Sequence, residues 1–166
     1  MYRIRNWAGE VNAAIRLMVF LGLLAAGGGG AVAEPGLGQL VGGWSGSGRL
    51  YYTDGTSEGI TCNAYYRLQG GEFSLAIQCR SEKNPIHIRS KLDVSGSRLS
   101  GDWEERTFNA SGSATGTVSG NSIRLNVAGG GFTGTMTVSI GGSTHNVVIE
   151  TQGIAMSRAR IGLRKR

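Results

Sequence analysis

The sequence predicts an all-β protein: a single antiparallel up-and-down barrel of about ten strands, preceded by a signal peptide. Three observations carry that reading. Short runs of alternating apolar and polar residues follow one another from residue 42 to the end, and no window repeats apolar residues at helical spacing. Turn pairs punctuate the runs, at Gly70-Gly71, Gly96-Ser97, Gly120-Asn121 and Gly141-Gly142. Finally, the two cysteines, Cys62 and Cys79, lie symmetrically about the first of those pairs.

Residues 1–33 differ in kind from the rest of the chain. Arg3, Arg5 and Arg16 precede the apolar run "LMVFLGLLAA", then four glycines and "AVA" before Glu34. That is the order of a secretory signal peptide, with a charged region, a short apolar region and a small-x-small cleavage site. The uncharged stretch from Leu17 to Ala33 is marginal for crossing a bilayer, and its glycines weaken a helix there. The expectation is cleavage, no stable membrane span afterwards, and a periplasmic or extracellular address. Residues 34–41 then form an N-terminal extension, and 42–166 the barrel domain.

The strands follow in order. A three-residue loop at Asp54-Gly55-Thr56 keeps Trp44, Gly46, Gly48 and Leu50 on the face of Ile60 and Cys62. A two-residue turn at Gly70-Gly71 sets Cys62 opposite Cys79, Ala64 opposite Ile77, Tyr66 opposite Leu75 and Leu68 opposite Phe73. Counted from the turn, the cysteines occupy a non-hydrogen-bonded pair, where Cα atoms approach to roughly 4.5 Å. Two lone thiols do not complete a metal set, so the pair reads as a staple suited to an oxidising compartment. The next turns pair Leu92 with Gly101 and Ser90 with Trp103, then Gly116 with Leu125 and Ala114 with Val127. A turn at Gly141-Gly142 pairs Val138 with His145 and Met136 with Val147, and a last run, Ile154 to Leu163, completes the set. Closing such a meander into a barrel removes the exposed edges that a glycine-rich sheet otherwise presents. Inward glycines in it permit sharp strand coiling or leave space inside.

"LVGGWSGSG" carries Gly-x-Trp (Gly42, Trp44) on the first strand, and the chain ends in the basic "LRKR". In this it resembles the calycin superfamily of meander barrels, which includes lipocalins, fatty-acid-binding proteins and avidins. The resemblance implies that Trp44 packs beneath Arg164, or Arg160 in a shifted register, closing one end. The chain is also similar to small exported bacterial metalloprotease inhibitors, with a cleaved signal, an early Gly-x-Trp, one disulfide and a basic C-terminus. Beyond these, it resembles short exported bacterial proteins of unknown function, which implies an address and no activity.

Catalytic chemistry is sparse. No nucleophile elbow, phosphate loop or metal-ligand spacing occurs. His87 falls on the wet face, and a lone inward His145 reads first as a core residue. Asp102, Glu104 and Glu105 are neighbours on one strand, not carboxylates facing each other across a cleft. Glu105 faces inward at a strand end. The expectation is therefore an exported, non-catalytic binding protein without a cofactor or metal. Tyr66, Phe73, Ile88, Trp103, Phe132 and Met136, with His145, are the candidate lining of a site for an apolar or amphipathic small molecule. The alternatives are a protease-inhibitor-like module acting through the extension "EPGLGQL" and an envelope structural protein with a filled barrel. After cleavage, 14 basic and 10 acidic residues leave a net charge of +4. The basic residues are scattered, which argues against nucleic acid. The tail "RIGLRKR" reads as a solvated strand end, free to meet anionic envelope components.

Overall fold

Alternation puts every second side chain of a strand on one face, and ten such strands gain most by turning their apolar faces toward one another. The computed structural model, which describes residues 35–83 and 85–166, shows that arrangement. The signal-peptide reading of residues 1–33 lies outside the described residues. A short helix, α1 (Pro35–Leu40), leads into β1 (Gly42–Tyr52), β2 (Ser57–Gln69), β3 (Glu72–Ser81), β4 (Pro85–Ser95) and β5 (Arg98–Glu105). The meander continues through β6 (Ala110–Ser119), β7 (Ser122–Gly129), β8 (Phe132–Gly141), β9 (Thr144–Gln152) and β10 (Met156–Lys165). Each strand pairs antiparallel with the next, and β1 pairs with β10 from Trp44↔Lys165 to Tyr52↔Met156, closing the barrel.

The hairpin arithmetic holds in the middle of the chain. β2 and β3 pair Cys62 with Cys79 and Tyr66 with Leu75, β4 and β5 pair Ser90 with Trp103, and β6 and β7 pair Ala114 with Val127. Cys62 and Cys79 form a disulfide, their Cα atoms 4.1 Å apart, the close spacing of a non-hydrogen-bonded pair. Two details differ. The β8–β9 register is offset by two residues, pairing Val138 with Val147 and Met136 with Ile149, because the turn centres on Gly142-Ser143. Gly142 there takes the left-handed conformation, with φ at 65°. A shift of two preserves the inward face, so the same side chains still reach the core. The first loop is also longer, spanning 53–56, and β10 begins at Met156 instead of Ile154.

The two ends of the barrel are unlike. At one end lie the β2–β3, β4–β5, β6–β7 and β8–β9 turns, and α1 lies across this end. Leu37 and Leu40 are fully buried, Gln39 Nε2 donates to Asn121 Oδ1, and Trp44 Nε1 donates to the Leu40 carbonyl at 2.6 Å. Helix α1 is thus a plug packed across this end of the barrel. It escaped the sequence reading because six residues with two glycines carry no periodic signal.

Several inward glycines mark where adjacent backbones touch. A Cβ on Gly101 would lie 2.0 Å from the Lys91 carbonyl oxygen, and one on Gly116 1.9 Å from that of Arg124. These glycines serve strand coiling and leave no room for even a methyl group. Gly59 faces outward, with nothing within 4 Å of its position. Gly101→Ala and Gly116→Ala are each expected to cost about 1–3 kcal/mol, the range for overpacking. Gly59→Ala should stay within about 0.5 kcal/mol of the parent. Urea denaturation of the three variants checks this; equal midpoints would remove the close-approach account.

Candidate ligand cavity

From the plug toward the other end, the barrel interior changes from solid to open. The closed half is filled by Trp44, Tyr66, Phe73 and His145 together with Leu92, Leu99, Val118, Ile123 and Leu163, all buried. His145 is central to it. Its Nε2 lies 2.9 Å from the Tyr66 hydroxyl, and its ring meets Trp44 edge-on at 4.4 Å. Burial pushes the His145 imidazole down to a pKa of about 4, so it is neutral at physiological pH. Burial likewise raises the Tyr66 phenol well above its ordinary value. Phe73 stacks on Tyr66 with ring centroids 5.9 Å apart.

The open half encloses a cavity of about 530 Å³. Its wall is chiefly apolar: Leu50, Leu75, Ile86 and Ile88 on one side, Trp103, Leu125, Phe132, Met136 and Ile149 on the other. Trp103 and Phe132 meet at 5.2 Å, and Trp103 Nε1 donates to the Ala128 carbonyl, which fixes the indole against the wall. The mouth is formed by the β1–β2, β3–β4, β5–β6, β7–β8 and β9–β10 loops. Phe108, on the β5–β6 loop, is 63% exposed there and also lines the cavity.

The sequence-derived candidates therefore divide by depth. Ile88, Trp103, Phe132 and Met136 line the cavity. Tyr66, Phe73 and His145 do not; they belong to the closed-end core. Alternation reports which face a side chain takes and is silent about depth. Tyr66 and Phe73 flank Gly70-Gly71 and His145 follows Gly142, turns that the structure places at the plugged end.

The Trp44 closure also needs correction. In the β1–β10 register Trp44 faces Lys165, whereas Arg164 pairs with Ser45 and Arg160 with Arg49. Both arginines thus share the outward face of β10 and are exposed. The cation over the indole is Lys165, with Nζ 5.6 Å from the ring centroid. Parity decides this, for the inward residues of β10 at that end are odd-numbered.

Polar groups on the wall are few, and most have partners. Ser90 Oγ donates to the Asp102 carbonyl. Glu105 accepts the His87 N–H on Oε1 at 2.8 Å and the Phe108 N–H on Oε2 at 2.7 Å, tying the β5–β6 loop to β4. Burial raises its carboxyl, and the backbone N–H groups of His87, Phe108 and Thr107 outweigh that and hold it below the ordinary range. Glu105 is thus a loop anchor with both oxygens occupied. Sequence reasoning passed over a second inward carboxylate, Glu58, although it shares the parity of Ile60 and Cys62. Glu58 is 6% exposed and lines the cavity near its mouth. Its Oε1 accepts a hydrogen bond from the Tyr52 hydroxyl, while Oε2 has no hydrogen-bond partner among the described residues. Burial first, then the bond to Glu58 and its negative charge, push the Tyr52 phenol up to about 12, so it remains a donor. Tyr52 points inward by the same alternation as Trp44 and Leu50, and a β-bulge on β10, with Ser157 as the extra residue and its hydroxyl on the Tyr51 carbonyl, sets Met156 opposite it. Lys83 stands at the rim, its Nζ 4.7 Å from the centre of the Tyr52 ring.

No protein-family model and no curated protein matches this sequence. Its fold does have solved counterparts. The crystal structure of Rv2717c from M. tuberculosis superposes with a TM-score of 0.67 at 15% identity, over 78% of this chain and 94% of that one. The S-type phycobiliprotein lyase CPES from Guillardia theta gives a TM-score of 0.53 at 11% identity, over 78% and 90%. With the closed ten-stranded meander, these likenesses establish a calycin-like fold. No helix among the described residues is long and apolar enough to cross a membrane.

Proposed function

We propose that this protein is an exported, non-catalytic binding protein that takes an apolar or amphipathic small molecule into the open half of its barrel. The cavity carries the reading. A space of about 530 Å³ walled mainly by aliphatic and aromatic side chains falls within the range of small-molecule sites, roughly 300–1,000 Å³. A barrel serving only as a structural unit gains by filling that volume, as this one does in its other half. The disulfide supports an oxidising address, and the residues 1–33 that would direct export have the composition of a cleavable signal.

The test is a titration with the neutral polarity-sensitive dye N-phenyl-1-naphthylamine. Saturable fluorescence enhancement is expected for the parent. Phe132→Glu places a charge in the apolar wall and should weaken binding about tenfold or more. Trp103→Ala removes one of the largest contact surfaces and should weaken it severalfold. Circular dichroism establishes that both variants remain folded. Dye binding unaffected by either substitution, or absent for a wide apolar panel, would redirect attention to the outer surface.

A further inference from the structure

Glu58 is anomalous in its surroundings. An ionisable side chain placed in an apolar wall is costly unless every oxygen finds a partner. Glu105, the other carboxylate on this wall, meets that condition through backbone N–H groups. Glu58 meets it halfway: Tyr52 satisfies Oε1, and Oε2 is buried with no donor among the described residues, on a side chain that lines the cavity. The Tyr52 bond also fixes the carboxylate's orientation, and Tyr52 is held on the inward face of β1 opposite Met156. Both features act to hold an acceptor in place near the mouth.

We propose that the ligand is an amphiphile with a protonated amine head, which donates to Glu58 Oε2 while its apolar body lies against Trp103, Phe132 and Met136. This rests on the cavity reading above and names the ligand's chemical class. An amine fits better than a carboxylate because the groups facing the site are acidic or electron-rich. Glu58 and Glu105 line it, and the faces of Tyr52, Trp103 and Phe132 attract cations. Among the described residues, the single cation on the lining is Lys83, which sits at the rim over Tyr52.

Three ligands with the same chain distinguish the possibilities: dodecylamine, dodecanol and dodecanoic acid, each below its micellar concentration, titrated calorimetrically into the full-length mature protein. The amine is expected to bind about tenfold more tightly than the alcohol, the usual gain from a hydrogen bond to a charged group, with the acid weakest. Glu58→Gln should erase the amine's advantage and leave the alcohol within about twofold of its parent affinity. Tyr52→Phe keeps the carboxylate and should keep the amine preference. Should Glu58→Gln fail to fold, the ligand series on the parent chain decides alone. Alcohol and amine binding equally well would overturn the head-group assignment and leave the cavity standing. The assignment falls in the same way if the acid binds best and Lys83→Met abolishes that preference. Failure of all three would take down the cavity reading and this proposal together.

Discussion

Replacing Trp44 with alanine is expected to cost the barrel about 3–5 kcal/mol, the usual penalty for emptying a large aromatic site. The indole is fully buried, packs on His145 at 4.4 Å and donates to the Leu40 carbonyl. Alanine removes both contacts and leaves that carbonyl without its donor at the base of the plug. Trp44→Phe retains most of the volume and loses the hydrogen bond, for an expected cost of about 1–3 kcal/mol. The neighbouring basic residues apportion the remainder. Lys165→Ala removes the cation above the ring and should cost about 0.5–1 kcal/mol, the value for an exposed cation–π contact. Arg164→Ala, on the outer face, should stay within about 0.5 kcal/mol of the parent. Guanidinium denaturation of the four variants measures these differences. An Arg164 effect exceeding that of Lys165 would contradict the observed β1–β10 register.

Closing the base in this way concerns function as well as stability. A barrel with two open ends would let water through its interior, and an apolar ligand would gain little by entering. Here Leu37, Leu40 and Trp44 are buried across one end, and the cavity lies toward the other. The plug is built from residues that read in sequence as an N-terminal extension with no helical signal. Gly-x-Trp pointed correctly to a closed end through its resemblance to calycins, and it misdirected the choice of cation. Which basic side chain meets the indole depends on a strand register that only the closed sheet supplies.

The same distinction separates what was legible from what was not. Turn pairs and strict alternation specify pairing and face, which is why Cys62, Cys79 and the inward residues of β2 through β7 fall where the arithmetic puts them. Face does not specify what fills the interior at each level. That depends on ten strands converging, so the division between the solid half around His145 and the hollow half around Trp103 emerged only in three dimensions. The bulge at Ser157 shows a further limit. It reverses parity for one residue and turns Met156 inward, and no turn signal or composition change announces it. Glu58 is a different matter. Its parity was plain, and an acidic residue on an inward face was itself the signal.

His145 supplies the second large expected effect, a loss of stability on mild acidification. Its ring is fully buried between Trp44 and Tyr66, with centroids 4.4 and 5.4 Å away, and Nδ1 has no hydrogen-bond partner among the described residues. Burial lowers its pKa to about 4, against 6.5 for the exposed group. Above pH 6.5 both folded and unfolded chains carry a neutral imidazole, and the contribution to stability is complete. As pH falls below that value the unfolded chain takes up a proton that the folded chain refuses. Stability then declines by about 1.4 kcal/mol per pH unit until the folded ring also titrates, for a total of about 3 kcal/mol. Glu105 acts in a lower window, because its depressed carboxyl contributes stability that is lost only as pH falls through the ordinary carboxylate range and below. Denaturation free energies measured from pH 7 to pH 4 should therefore begin to fall near pH 6.5. His145→Gln removes the titrating group, keeps a side chain able to meet the Tyr66 hydroxyl, and should flatten the profile down to about pH 5 even if its stability at pH 7 is lower. A parent profile already flat over that interval would mean that the ring takes up its proton inside the fold. The closed half would then be wet, and the cavity above it would lose its sealed floor.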